Sequence, residues 1–166
     1  MAGERFEEIV RKYSEPLYWH IRGIVSSHDD ADDVLQEVFI KVWRKMDSFR
    51  GESDIFTWLW RIATNEALSF LRKRRVRAAF GIDALEIGRA SSQAYDESPD
   101  AGRVNAALAR AVSELPPKQR SVFVMRYFED LSYEQISNIT HTSVGALKAS
   151  YHLACERLKT KLSDEE

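Results

Sequence analysis

The sequence predicts an all-α protein of two small helical domains joined by a flexible linker, with a helix-turn-helix in the second domain. Apolar residues recur at helical spacing along most of the chain, and no segment alternates apolar and polar residues as a half-exposed strand would. Residues 81–102 lack a repeating apolar face and are rich in glycine and serine. The predicted domains are therefore residues 1–80 and 103–166, with 81–102 as the linker.

Three helices are predicted before the linker. The first covers residues 6–24, where Pro16 is expected to kink or divide it. The second has the cleanest 3.6-residue stripe in the chain, and Ser27 or an aspartate at 29–30 can cap it. The third is expected from about residue 55 to 77, after a segment with loop chemistry at 47–54. The stripe of the second helix consists of Ala31, Val34, Leu35, Val38, Phe39, Val42 and Met46.

After the linker, a helix at 104–115 is expected to stop at Pro116-Pro117, and another follows from about 118 to 128. Ser132 and Gln135 have the spacing of a capping box at the start of a short helix. A break at 140–142 precedes a last helix from Ser143, whose beginning is small and polar. This is the pattern of a helix-turn-helix, whose second helix enters the major groove of DNA. An ordinary helical hairpin that only packs a core is the alternative.

Composition excludes several classes of protein. The 166 residues are 44% hydrophobic and 30% charged, as in globular proteins, and no run approaches the ~20 apolar residues of a membrane span. The N-terminus carries no apolar signal segment, so we expect a cytoplasmic protein without membrane insertion. Cys155 is the only cysteine and the four histidines are scattered, so no metal site or disulfide is expected. Because no glycine-rich nucleotide loop or nucleophile–base pair occurs, we expect no cofactor, no small-molecule substrate and no enzymatic activity.

The net charge of −2 is an average over unlike segments. Residues 1–80 carry +1, residues 81–102 carry −4 and residues 103–166 carry +1. Basic residues gather at 72–77, near the end of the first domain. Since fields in solution are screened over ~8–10 Å, this local cluster matters more for DNA contact than the total charge.

Three stretches together resemble the extracytoplasmic-function (ECF) sigma factors, a group within the sigma-70 family of bacterial RNA polymerase. The segment 29–43 reads DDADDVLQEVFIKVW and is similar to the family's polymerase-binding helix. The segment 56–75 reads FTWLWRIATNEALSFLRKRR and is similar to its promoter-melting helix. Residues 115–158, which include LSYEQISN and SVGALK, resemble its C-terminal DNA-binding region. The stretches occur in family order and cover nearly the whole chain.

The resemblance implies a non-enzymatic initiation factor that binds core RNA polymerase and directs it to specific promoters. The first domain would dock on polymerase and bind the minus-ten element as separated strands, and the second would read the minus-thirty-five element as duplex. An anti-sigma factor is a further partner that the resemblance allows. The alternative function is a sigma-like module that sequesters an anti-sigma factor without initiating transcription.

By position, the resemblance assigns three sets of residues. The polymerase-binding set is Asp33, Gln36, Glu37 and Lys41. The minus-ten set is Arg50, Ser53, Trp60, Arg61, Asn65, Arg72, Lys73 and Arg75, and the minus-thirty-five set is Ser143, Val144, Ala146, Lys148 and His152. Without the family pattern, the polymerase-binding set also fits a solvated helix face. Ser53 fits the packing and capping of a turn, and the basic residues at 72–75 fit a solvated helix end.

Two further expectations concern α-helical geometry and departures from the family. Trp58 and Trp60 are two positions apart and cannot both face one core. The family pattern matches at Trp58, so the resemblance assigns Trp58 to the core and leaves Trp60 as the candidate for base stacking. His141 replaces a glycine common at the helix-turn-helix turn, and Ser150 replaces an arginine common two residues after the recognition-helix lysine. Both departures predict weaker binding to duplex DNA. Ser69 replaces an acidic residue usual near the end of the promoter-melting helix.

Overall fold

The computed structural model describes residues 2–49, 51, 54–81 and 102–164, with the side chains of Ala2 and of 102–105 left aside. These ranges are helical and contain no strand, which confirms the all-α fold. The helices are α1 Ala2–Val25, α2 His28–Lys45, α3 Ile55–Ala79, α4 Gly102–Ser113, α5 Pro117–Phe123, α6 Tyr133–Thr140 and α7 Val144–Asp164. A 3₁₀ turn spans Met46–Ser48 and a π-helical turn spans Val124–Phe128. Most of the predicted linker lies outside the described residues.

The first three helices pack around the stripes that the sequence predicts. Ala31, Val34, Val38 and Val42 of α2 are buried, and the Ser27 hydroxyl caps this helix by accepting from the Asp30 amide at 3.2 Å. The expectation that Pro16 divides the first helix is wrong, because α1 is continuous across it. Pro16 lies on the exposed side of α1, so water can bond the carbonyl that the missing N–H leaves free.

The helices after the linker form the predicted helix-turn-helix. The Ser132 hydroxyl accepts from the Gln135 amide at 3.1 Å, and the Gln135 side chain accepts from the Ser132 amide at 2.9 Å, which confirms the capping box. Helix α6 ends at His141, which adopts a left-handed conformation with φ 58° and ψ 29°. Helix α7 then begins with the Ser143 hydroxyl accepting from the Ala146 amide at 3.2 Å.

The predicted helix at 118–128 is α-helical only as far as Phe123. It continues as a π turn, with the Glu129 amide bonded to the Val124 carbonyl five residues earlier at 3.2 Å. In a π turn an amide bonds to the carbonyl five residues earlier instead of four, so the turn holds one extra residue. A segment this short has too few apolar residues for its period to show that difference. The turn places Glu129 against α1 and α3, where its carboxylate contacts His20 and Trp60.

One apolar core runs through both parts of the described chain. Helices α1–α3 share it with Val122, Met125 and Leu131, and with Ile136, Ile139 and Leu147 of the helix-turn-helix. A smaller cluster joins α4, α5 and α7 around Leu115 and Phe123. The two helical parts therefore pack against each other in one closed arrangement. No helix within the described ranges is long and apolar enough to cross a membrane.

Candidate nucleic-acid and protein interfaces

The outer face of α2 presents three of the four residues predicted to bind polymerase. Asp33, Gln36 and Glu37 are exposed because the buried stripe of α2 faces α1 and α3. Lys41 differs, because its ammonium group contacts the Glu66 carboxylate of α3. Lys41 therefore ties α2 to α3 in this arrangement and is only partly available to a partner.

Sequence reasoning missed two apolar residues on the same helix. Ile40 is 42% exposed and Trp43 is 51% exposed, although both have large apolar side chains. They follow Gln36 at spacings of four and seven residues, so the three share one helical face. Trp43 also meets Phe6 of α1 edge-on, with ring centroids 5.2 Å apart. The sequence could have indicated that these two side chains are exposed, because both residues lie off the apolar stripe that α2 buries.

The loop before α3 is partly described. Arg50 and Ser53, assigned to the minus-ten set, lie outside the described residues. Phe49 packs against Trp58 with centroids 4.8 Å apart, and the Arg5 guanidinium lies 5.5 Å from the Phe49 ring centre. Asp54 caps α3 by accepting from the Thr57 amide at 2.7 Å.

The two tryptophans of α3 both pack against the shared core, as expected for Trp58 but not for Trp60. Trp60 is 3% exposed and belongs to the shared core, while Trp58 is only partly buried. The Trp60 ring stacks on Phe56 at 4.0 Å, and its indole N–H donates to Glu129 Oε1 at 2.6 Å. The assignment of Trp60 to an exposed stacking position is therefore wrong for this closed arrangement. Part of its cover comes from Glu129, 69 residues later in the chain, which periodicity within α3 cannot reveal.

Two polar residues follow Trp60 on α3. Arg61 is half-buried, and its Nη2 donates to the backbone carbonyl of Asn138 at 2.6 Å. Asn65, one turn later, is exposed. The predicted minus-ten surface is thus covered at its Trp60 end and open from Asn65 onward.

The end of α3 carries an exposed basic cluster. Arg72, Lys73 and Arg75 are exposed, as a phosphate-binding surface requires. Arg74, which lies among them, instead donates from Nη1 to Asp30 Oδ2 at 2.6 Å. That contact joins α3 to the start of α2.

The early face of α7 is open to solvent. Ser143, Ala146, Lys148 and His152 are exposed and Val144 is half-buried, so the whole predicted minus-thirty-five set lies at the surface. Leu147, Ala154 and Leu158 anchor the opposite face in the core. A helix held in this way can present its first turns to a DNA groove.

Tyr151 packs α7 against α5 and α6. Its ring stacks on Phe123 with centroids 5.7 Å apart and meets Tyr133 edge-on. Desolvation by burial raises the pKa of Tyr151 above its ordinary value of 10.0, and the neighbouring Cys155 raises it further. The phenol therefore stays neutral at physiological pH, as its apolar neighbours require.

An open apolar groove of about 760 Å³ lies where the two helical parts meet. Trp19, 61% exposed, and Phe128, 54% exposed, stand on its two sides. Across the described ranges, no group of three or more His, Cys, Asp and Glu side chains could hold a metal ion.

Two family models match this chain, one in each half. Residues 9–77 match the model for Sigma-70 region 2, and residues 105–158 match that for Sigma-70, region 4. The chain is 29% identical over 171 residues to the ECF RNA polymerase sigma factor SigW of Bacillus subtilis, covering 97% of this chain and 90% of that protein. It is 32% identical over 165 residues to the RNA polymerase sigma-H factor of Pseudomonas aeruginosa, covering 95% and 86%.

Its fold is similar to that of a solved sigma factor. That structure is RpoE in complex with the anti-sigma factor NepR from Bartonella quintana. The TM-score is 0.75 at 25% identity, and the match covers 98% of this chain and 99% of the other.

Proposed function

We infer the function of this chain from the family to which it belongs, the ECF group of sigma-70 factors. It is a sigma factor that binds core RNA polymerase and promoter DNA and directs the initiation of transcription. Members of this family are initiation factors and not catalysts, so the chain is not an enzyme. The observation that carries this function is the presence of both sigma-70 regions, in order, along one chain.

We propose that the domains are residues 1–80 and 103–166, joined by the linker 81–102, and that the outer face of α2 docks on polymerase. This face combines the polar residues Asp33, Gln36 and Glu37 with the apolar Ile40 and Trp43. Protein interfaces gain most of their affinity from a few large anchors surrounded by polar contacts, and tryptophan is the most frequent anchor. Trp43 would be the anchor here, with Gln36 and Glu37 fixing its orientation.

DNA binding is proposed to divide between α3 and α7. Arg72, Lys73 and Arg75 would hold phosphates beside the minus-ten element, while Asn65 and Arg61 would reach separated bases together with Arg50 and Ser53. The exposed start of α7, with Ser143, Val144, Ala146, Lys148 and His152, would enter the major groove of the minus-thirty-five element. Phosphate contacts would set the affinity and base contacts the sequence preference.

The chain is proposed to act in the cytoplasm, where the polymerase of its relatives works. An anti-sigma factor is a proposed further partner, because the structurally similar RpoE forms a complex with NepR. The apolar groove between Trp19 and Phe128 exposes two large aromatic side chains that such a partner would cover.

The docking surface can be tested by a double substitution. Gln36→Ala with Glu37→Arg should reduce binding to core polymerase by more than about 30-fold, the loss typical of an interface hot spot, and so abolish co-purification. Helicity measured by circular dichroism should not change, because both side chains are exposed.

A matched control comes from α1, where Glu8 is also an exposed acidic residue. Glu8→Arg reverses the same charge off the proposed surface and should leave co-purification intact. Normal co-purification of the α2 double variant would exclude this face as the docking surface.

A further inference from the structure

Two apolar side chains are exposed at the end of α3, inside the basic cluster. Phe80 is 76% exposed and Val76 is 51% exposed. Single apolar residues are common on protein surfaces, but these two are four residues apart and so lie side by side. They lie among four exposed cations, and although the helix dipole favours cations at a helix end, it gives no reason for a phenyl ring there. The cations are Arg72, Lys73, Arg75 and Arg77.

The backbone that carries Phe80 is well bonded. The Phe80 amide donates to the Val76 carbonyl at 3.2 Å, so Phe80 continues the last helical turn. Gly81 then ends the helix with a positive φ of 75°, and its amide donates to the Ala78 carbonyl at 3.0 Å. These bonds hold the Phe80 ring at the tip of α3.

An ion pair sets the rotation of this helix end. Arg74 Nη1 donates to Asp30 Oδ2 of α2 at 2.6 Å, and only 20% of the Arg74 side chain is exposed. Val76 follows Arg74 by two positions, which is about 200° around an α-helix. Val76 and Phe80 therefore lie on the side of α3 opposite its contact with α2.

This outward face continues the proposed minus-ten surface. Steps of four, three, four and four residues lead from Asn65 through Ser69, Arg72 and Val76 to Phe80, so these five positions share one side of the helix. An α-helix of this length spans about 22 Å, which matches about six or seven nucleotides of one strand. The face is polar at Asn65, cationic at Arg72 and apolar at Phe80.

We propose that Phe80 stacks on the base at the upstream edge of the separated minus-ten strands, where duplex begins. This inference rests on the proposed role of α3 in minus-ten binding. A paired duplex covers both faces of each internal base, so a phenyl ring finds an open base face only where the strands separate. The exposed cations on either side of Phe80 would hold the phosphates that flank this base.

The order of the chain gives the direction. Asn65, at the other end of the face, is proposed to reach separated bases together with the loop before α3. After Phe80 the chain continues to the domain that is proposed to bind the minus-thirty-five element, which lies upstream. The Phe80 end of α3 therefore belongs at the upstream edge.

An anionic membrane surface is the other kind of partner that a basic helix end with apolar residues can bind. Helices that lie on membranes bury a broad apolar face in the lipid. The outward face of α3 has the two exposed apolar side chains Val76 and Phe80, and it continues with the polar Arg72 and Asn65. The observations therefore favour DNA.

Binding to two DNA duplexes of one arbitrary sequence tests the stacking role. One is fully paired, and the other has a central mismatched bubble of about six nucleotides, the length that the α3 face spans. Both have the same ends and the same number of phosphates. The full chain should bind the bubble duplex more tightly. Phe80→Ala should weaken bubble binding about tenfold and change binding to the paired duplex less than about twofold, as fluorescence anisotropy would show.

Three more variants separate stacking from other effects of the substitution. Phe80→Trp keeps an aromatic ring and should retain bubble binding, whereas Phe80→Leu keeps only apolar volume and should lose it. Tyr127→Ala removes an aromatic side chain of 56% exposure from the part after the linker and should leave both affinities unchanged. Bubble binding that is equal in the parent and Phe80→Ala, or fully retained in Phe80→Leu, would overturn the stacking role.

Two further measurements identify which idea has failed. Binding to phosphatidylglycerol vesicles that Phe80→Ala abolishes, with bubble binding unchanged, would assign this helix end to a membrane surface and overturn the inference. A parent chain that initiates transcription with core polymerase, while Phe80→Ala binds bubble DNA normally, would remove the stacking role and leave the proposed function intact. A parent chain that binds the bubble through Phe80 but does not initiate would support the stacking role and contradict the proposed function.

Discussion

At the scale of single residues, His141 bears the turn of the helix-turn-helix in a conformation that suits glycine better. Its φ of 58° lies in the left-handed region, and its amide still bonds to the Ser137 carbonyl at 2.8 Å. A residue with a Cβ atom pays ~1–2 kcal/mol in this region. The replacement of the usual family glycine therefore affects the stability of the turn more directly than any contact with DNA.

His141→Gly should stabilise the protein by about 1 kcal/mol, less the added entropy of glycine in the unfolded chain. For a chain of this size that corresponds to a rise in Tm of about 2–4 °C per kcal/mol. Thermal unfolding followed by circular dichroism measures it. His141→Ala keeps the Cβ atom and should give no gain, so an equal rise in both variants would show that backbone strain is not the cause.

Individual residues show which features could be predicted from the sequence and which could not. Ser27, Ser132 and Gln135 were assigned as caps correctly, because capping depends on neighbours within one turn. Trp60 was wrongly assigned to an exposed position, because part of its cover comes from Glu129, which lies 69 positions away in sequence. A helix that packs on two sides buries residues that a single apolar stripe leaves out.

At the scale of elements, the apolar stripe of α2 was predicted because this helix buries one face, although Leu35 and Phe39 of that stripe are only partly buried. The π turn at Val124–Phe128 was not, since the preceding α5 is only two turns long and its period cannot be measured from so few residues. The polar face of α2 was predicted, but the exposed Ile40 and Trp43 beside it were missed although both lie off the predicted stripe.

One prediction concerns helix α7. Ser150 is half-buried and lies four residues after Ala146 and seven after Ser143, on the face of α7 that is proposed to meet DNA. Ser150→Arg in the full chain should tighten duplex binding about fivefold and steepen the salt dependence by about 0.9, the contribution of one phosphate contact. Fluorescence anisotropy across a salt series measures both quantities.

The matched control adds the same charge farther along the helix. Thr160 is exposed near the end of α7, away from the face that would enter the groove. Thr160→Arg should change duplex binding little. If both arginines tighten binding equally, the effect comes from net charge and α7 is not oriented as proposed.

At the scale of the whole molecule, the described helices share one core although the sequence predicts two domains. Ile136, Ile139 and Leu147 of the helix-turn-helix pack in the same cluster as α1–α3. Both matched sigma-70 regions thus contribute to a closed form that exposes α2 and the start of α7 but covers Trp60. Composition and periodicity describe each region and contain no information about how two regions pack together.

The central claim is that this chain gives polymerase the ability to choose promoters, and transcription in vitro tests it most directly. Purified core polymerase, with and without the chain, would transcribe fragmented genomic DNA of the source organism, and the 5′ ends of the RNA would be sequenced. We predict new start sites that appear only with the chain and that share two spaced upstream sequence elements. The Gln36→Ala, Glu37→Arg variant should produce none of them. Start sites identical to those of core polymerase alone would contradict the account.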